Sequence, residues 1–487
     1  MKRQSIVFDD KTVHELFGFE DAESESIERL KEYYLKKDTF DRVTTDLPVR
    51  ILVGHKGTGK SALFKVAMSE EADKGNLPIL IKPDDIAELA TDAESVLLRI
   101  RQWKLGLNKI IGEKVFITFG IEDETVLSKL TNLGLKLSNY IYQTISNFNQ
   151  HINLESTQKA LLDKYLQKRK IVVYIDDLDR GWEGKQNDIN RIAALLNAVR
   201  DLSSENDGLL FKISLRSDVY YLVRTADEST DKIEGSVVWC DWSNHEILVL
   251  LVKRILTFFG EKADYNNLLK TDQFYLSKYL DDIFERKFQG KGKWADTYTY
   301  KVLMSMIRRR PRDLVKLCVL AAQNARHDNS NIIKTENLEA VFESYSQGRI
   351  QDTINEFRSE LPNIERLIFG MKPNRSQKEA GRGYVYTSSE LITKLRNIQQ
   401  NQQFTFKDKQ RADPKRLIQF LFKINFLTAR KRLENGVIQR KYFEESRYLI
   451  SDFVDFGYDW EVHPAFRWAL QPDDINDIFA QLFTFQD

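Results

Sequence analysis

The segment GHKGTGKS (54–61) sets three glycines, a lysine and a serine at the spacing G-x-x-x-x-G-K-S. Gly54, Gly57 and Gly59 permit backbone conformations and close approaches that a Cβ would block. Successive N–H groups, with His55, Lys56, Thr58 and Ala62 completing the cradle, can then converge on one anion. Lys60 adds a charge for β- and γ-phosphates, and the Ser61 hydroxyl suits a magnesium ion. A second group, VVYIDDLDR (172–180), ends an apolar run in acidic residues. Asp176 is placed to hold magnesium against Ser61. Asp177 is placed to activate an attacking water, with Asp179 the alternative for that role. ATP and Mg2+ are the expected ligands, and no NKxD segment follows that would read guanine.

Two arginine positions extend this chemistry. LLFKISLRSDVYY (209–221) carries Arg216 or Ser217 to the end of a further strand, where ligands of open α/β sheets bind and either could sense a γ-phosphate. RRRPRDLVKL (308–317) sets Pro311 at a helix start and Arg312 beside it, able to reach a γ-phosphate from a lid. Arg308, Arg309 and Arg310 are candidates for a neighbouring subunit's nucleotide or for nucleic acid. No GxSxG, HExxH or metal-ligand cluster adds a second catalytic centre.

These side chains need a sheet to hold them. VRILVG (49–54), LPILIKP (77–83), KIVVYID (170–176), LLFKISLR (209–216) and SVVWCDW (236–242) are nearly continuous apolar runs, as in parallel strands covered on both faces. Long helical stretches between them predict a doubly wound α/β sheet. The expected organisation is a helical segment over 1–45, a P-loop core over 46–243 with a helical insertion over about 119–168, a helical lid over 244–371 and a winged-helix-like α+β module over 372–487. In the last part, Asn435 and Gly436 form the turn of a hairpin.

The chain has 487 residues, of which 42% are hydrophobic, enough for several cores. Its 73 basic and 72 acidic side chains nearly cancel, so any polyanion site must be local. Cys240 and Cys318 read as buried thiols of a reducing compartment. The start MKRQSIVFDD lacks an apolar signal region, and no run is long enough to span a bilayer; a cytoplasmic location and no membrane partner are expected.

GHKGTGKS together with IDDLDRGW, ISLRSDVY and RPRDL resembles the AAA+-related P-loop ATPases of the KAP and STAND type. More narrowly it resembles a bacterial subgroup with an LFGFEDAE-like motif, here 16–23, and a D-x-x-x-HPAF-like segment, here Asp459 with 463–466. The resemblance implies an ATP-dependent switch with an ASCE/AAA+-like core, a helical lid and a C-terminal winged helix. It implies that Phe17 and Phe19 pack on adenine, that the chain forms a homo-oligomer or controls an effector protein, and that antiviral defence is a possible setting. Asp177 stands where relatives often have glutamate, which implies slow turnover.

The competing reading is a DNA-binding ATPase akin to replication or transposition initiators, supported by a basic wing and by the polar, basic loop KPNRSQKEAGRGY (372–384). Lys415, Arg416 and Lys423 lie on a candidate recognition helix, and Arg430, Lys431, Arg432, Arg440 and Lys441 on the wing. A winged helix can equally be a packing module, and Phe453, Phe456, Tyr458, Trp460, Phe466 and Trp468 read as its core. A small-molecule or polynucleotide kinase fits the long helical and winged parts less well.

Overall fold

The computed structural model describes residues 6–89, 95–121, 124–130, 137–148, 156–226, 228–262, 264–379, 383–407, 411–433, 438–446, 458–471, 478–479 and 482. The chain divides into two compact units. One is Ser26–Cys240; the other joins Met1–Glu25 to Asp241–Asp487.

The first unit is built on five parallel strands, β1 (Val49–Gly54), β2 (Leu77–Ile81), β3 (Ile171–Ile175), β4 (Leu209–Arg216) and β5 (Val237–Trp239). Their order is β2-β3-β4-β1-β5, so β4 separates the strand leading into GHKGTGKS from the strand leading into IDDLDR. All five apolar runs are strands because both sheet faces are covered. Ile51, Val53, Val173 and Phe211 join one core with helices Val96–Thr118 and Gln186–Glu205. Leu52, Val172 and Tyr174 join another with helix Lys60–Asp73. Burying each such side chain contributes about 1.5–3 kcal/mol. The expected insertion is helical where described, with helices Glu124–Lys129, Leu137–Phe148 and Ser156–Lys168. The architecture is α/β, a parallel-sheet P-loop core of the ASCE/AAA+-like order.

The second unit opens with helix Asp10–Phe17, capped by Asp9 and burying Val13, Leu16 and Phe17. It packs on helices Asn244–Phe258 and Pro311–His327. The expected 1–45 segment is therefore split: its first 25 residues belong with later helices, because the apolar face of Asp10–Phe17 finds its partners there. The expected lid is not helical throughout, since β6 (Lys287–Phe288) and β7 (Thr297–Tyr298) pair within it.

The same unit carries β8 (Val385–Tyr386), helices Ser388–Asn401 and Pro414–Lys423, and β9 (Leu427–Arg432), β10 (Ile438–Lys441) and β11 (Asp459–Val462). These strands form an antiparallel sheet in the order β10-β9-β11-β8. Helices followed by a hairpin give the winged-helix-like module. The Asn435-Gly436 turn, Phe453 and Phe456 lie outside the described residues. Trp460, Phe466 and Trp468 are buried. Among the described residues no helix is long and apolar enough to cross a membrane.

Candidate functional site

The loop between β1 and helix Lys60–Asp73 begins at Gly54, in register beside Arg216 of β4. A Cβ on Gly54 would lie 2.9 Å from Thr58 Oγ1 and 3.0 Å from Cys240 Cβ, so only glycine fits. Gly57 and Gly59 have φ of 83° and 91°, in the left-handed region that favours glycine. Inside the loop, Thr58 Oγ1 donates to the His55 carbonyl at 2.9 Å. Lys60 Nζ donates to the carbonyls of Gly54 at 2.9 Å and His55 at 3.0 Å, so the ammonium is folded over the loop.

Helix Lys60–Asp73 starts without a side-chain cap and without an acidic residue in its first turn. Its first N–H groups and dipole are thus set up for an external anion. Ser61 and Ala62 are half-buried at that start and Lys56 is exposed. The donor set fits a polyphosphate.

The acidic group is reached through β4. Asp176 follows β3, and its Oδ1 accepts from the hydroxyl of Ser214 and from the Asp177 N–H at 2.9 Å. Asp177 is exposed with φ 60°, a left-handed position that costs about 1 kcal/mol and turns the chain sharply after the strand. Arg216 is held from two sides. Nε and Nη2 donate to the Asp218 carboxylate at 3.0 and 2.5 Å, and Nη1 donates to Asp179 at 3.1 Å. Ser217 Oγ lies 3.1 Å from His55 Nδ1. The end of β4 therefore touches Asp176 through Ser214, Asp179 through Arg216 and the phosphate loop through Ser217. A magnesium ion usually takes one or two carboxylates plus phosphate oxygens and water. The Asp176 carboxylate and the Ser61 hydroxyl are donors of the kind such a share would use, and among the described residues no group of three or more His, Cys, Asp or Glu could hold a metal ion.

Sequence reasoning missed Ser214 and Asp218. The signal was present as Lys212, Ser214 and Arg216, polar residues at period two inside a fully buried strand. Lys212 faces the opposite end: its ammonium donates to the Thr45 carbonyl at 2.6 Å, and burial pulls its pKa down to about 8.

The other expected residues lie in the second unit. Phe17 is 1% exposed, with its ring 6.1 Å from Phe284, so it offers no face to an adenine. Phe19 is 37% exposed and stacks on His14 at 4.4 Å. Arg312 Nε donates to the Glu20 carbonyl at 3.0 Å, and Lys316 pairs with Glu20 at 2.8 Å. The FGFE and RPRDL motifs thus meet each other.

Of the neighbouring arginines, Arg308 and Arg310 are buried against carboxylates and Arg309 is half-buried. Arg308 makes two bonds to buried Asp313, which Arg349 also meets at 2.6 Å. Arg310 pairs with Glu356 at 2.9 Å, and Arg309 pairs with Glu445 and lies over the Tyr442 ring. Burial opposes ionisation of Asp313, but Arg308 and Arg349 hold its carboxyl far below the usual range.

The expected DNA surface is partly consumed in the same way. Arg440 is buried with two bonds to Glu461, Arg467 meets the same carboxylate, and Arg430 lies 3.7 Å from it. Burial works against the Glu461 charge, yet Arg440 and Arg467 bring its pKa to about 2. Lys423 pairs with Glu360 at 2.9 Å, and Arg416 stacks on Phe406. Lys415, Lys431 and Arg432 are exposed. His463 of the HPAF segment is buried and accepts the Ala465 N–H at 3.1 Å, with Nε2 3.0 Å from the Tyr442 hydroxyl. Both cysteines are buried thiols.

Residues 264–354 match the family model of the FunZ-associated C-terminal helical domain. Over 353 residues the chain is 25% identical to an 80.3 kDa protein ascribed to the transposon gamma-delta in Escherichia coli (strain K12). That match covers 65% of this chain and 48% of the relative, so the chain spans about half of that protein's length. Among solved structures, the Walker-type ATPase paby2304 of Pyrococcus abyssi is similar over 90% of this chain and 97% of its own, at 13% identity and a TM-score of 0.40. The ORC2 protein of Aeropyrum pernix is similar over 88% and 86%, at 10% identity and a TM-score of 0.38. The fold assignment rests on the sheet order and the loop geometry of the chain itself.

Proposed function

We propose that the chain binds Mg-ATP on 54–61 and hydrolyses it slowly, as a regulatory switch of the KAP/STAND type that assembles with itself or controls an effector protein. The observation that carries this is the loop itself: an uncapped helix start behind left-handed Gly59, with Lys60 poised over two loop carbonyls. In this reading Lys60 and the loop N–H groups bind the β- and γ-phosphates. Ser61 and Asp176 hold the magnesium ion, which neutralises charge on the phosphate oxygens. Asp177, exposed at the strand end, takes the proton of the attacking water. Asp179 is the lesser candidate for that task because Arg216 already engages it. Arg216 senses the γ-phosphate by exchanging Asp179 for it, with Asp218 as its fixed anchor. In the second unit Phe19 keeps an exposed ring where Phe17 is buried, and Arg312 bonds the Glu20 carbonyl next to it. Lys60→Ala should abolish ATP binding in an equilibrium titration of the pure chain; unchanged binding sinks the proposal.

A DNA-directed form of the switch has one favouring observation, the exposed Lys415, Lys431 and Arg432 of the winged-helix-like module. The transposon-ascribed relative points to mobile-element biology, and the antiviral setting belongs to the same proposal. Duplex binding that weakens steeply with salt, and is lost on charge reversal at Lys431 and Arg432, is the expected result. Absence of salt-sensitive binding removes the DNA form and leaves the effector switch.

A further inference from the structure

Within the first unit, the loop after β3 has a second face. Leu178 and Arg180 flank Asp179, and with Gly181 and Trp182 they line a cleft of about 330 Å³. Its walls include Ile86, Trp103, Ile192 and Leu195, from the turn after β2 and from helices Val96–Thr118 and Gln186–Glu205. That volume is at the small end of ligand pockets, roughly 300–1,000 Å³.

The polar groups of the cleft are mostly committed. Trp103 Nε1 donates to the Arg191 carbonyl at 3.0 Å. The Arg191 guanidinium donates to the carbonyls of Leu89 and Ile86. Asp188 accepts the N–H groups of Glu183 and Lys185 at 3.2 and 3.1 Å. At the rim, Arg180 and Asp84 lie 3.9 Å apart and balance each other. One group stands out: the Trp182 Nε1–H is buried without a hydrogen-bond partner among the described residues. A buried orphan donor costs about 1–3 kcal/mol unless something completes it.

The wanted occupant therefore has an apolar body, no net charge and one acceptor. A leucine-like side chain beside its own peptide carbonyl has that chemistry. Aromatic-walled pockets that accept one such anchor are the usual hot spots of protein interfaces.

We propose that this cleft docks a single apolar side chain of a partner protein, with a peptide carbonyl on the Trp182 indole N–H. Occupancy passes to the nucleotide site through the loop, because Asp179, between Leu178 and Arg180, bonds Arg216. This coupling rests on the proposed reading of Arg216 and Asp177, whereas docking itself does not.

The test is an indole-15N spectrum of the full chain without nucleotide, titrated with N-acetyl-leucine methylamide. Trp182→Phe identifies the resonance. The expected result is a saturable downfield shift of that one signal, lost when Ala87→Trp fills the cleft. No shift, or a shift that persists in Ala87→Trp, overturns the proposal. A response to free adenosine but not to the peptide-like probe overturns the protein partner in favour of a small molecule. Asp179→Asn, which loosens the loop from Arg216, should change the probe's affinity about fivefold. An unchanged affinity overturns the coupling. Because the readout needs no ATP, it is separate from the outcome of Lys60→Ala.

Discussion

The two arginine–carboxylate clusters of this chain use the same groups in different settings. At the end of β4, Arg216 shares its guanidinium between Asp218 and Asp179, and the Asp179 side retains solvent access. In the second unit, Arg308, Asp313 and Arg349 are closed off from water, as are Glu461, Arg440 and Arg467. A partly open pair can exchange one carboxylate for a phosphate at small cost. A closed one cannot, because every charge left behind would be buried alone. Access to solvent, not residue type, separates a pair that can be exchanged for a ligand from one that fixes packing.

The contrast can be broken within either cluster or at Asp177, beside the open one. The largest expected effect is catalytic. Asp177→Ala should keep ATP affinity and lose about 10²–10⁴-fold in single-turnover hydrolysis; surviving turnover moves the base to Asp179 or elsewhere. Next, Arg349→Met should destabilise the second unit by about 3–5 kcal/mol in denaturant unfolding, since it strips a partner from Asp313. A loss below about 1 kcal/mol would mean that this cluster is as adaptable as the one at β4.

Acid sharpens the same contrast. The Glu461 carboxyl sits at about 2 when folded against an ordinary 4.5, so it contributes stability above about 4.5 and loses it as pH falls towards 2. His463, kept neutral first by burial and then by Arg308 and Arg440, has its pKa lowered from 6.5. It adds to that trend as pH falls below about 6.5. Unfolding midpoints should therefore drop on acidification, and less so in Glu461→Gln. The smallest effect belongs to Asp179→Asn, within about 1 kcal/mol in stability, because that pair is partly exposed. Its consequence should appear instead in the ratio of ATP to ADP affinity, and an unchanged ratio would argue against Arg216 as the sensor.

The sheet was legible in the sequence because its strands are buried on both faces, which leaves long apolar runs at 49–54, 171–175 and 209–216. The phosphate loop was legible because its glycines answer to backbone geometry alone. The partners of the arginines were not. RRRPRD looks basic and available in one dimension, and only folding brings Arg349 and Glu356 onto it from a helix some forty residues on. The two rings of the FGFE segment were not separable in sequence for a related reason. Two phenylalanines around a glycine signal a tight turn, but not that one ring turns inward. Gly18, at φ 75°, sends Phe17 into the core while Phe19 remains at the surface.

The central claim is that 54–61 is a working phosphate cradle whose lysine carries the affinity. Equilibrium titration of the full chain with ATP and Mg2+, beside Lys60→Ala, tests it most directly. The account predicts saturable binding by the parent, weakened by removal of magnesium, and none by the variant at the same concentrations. Equal binding by both, or none by the parent, would contradict it.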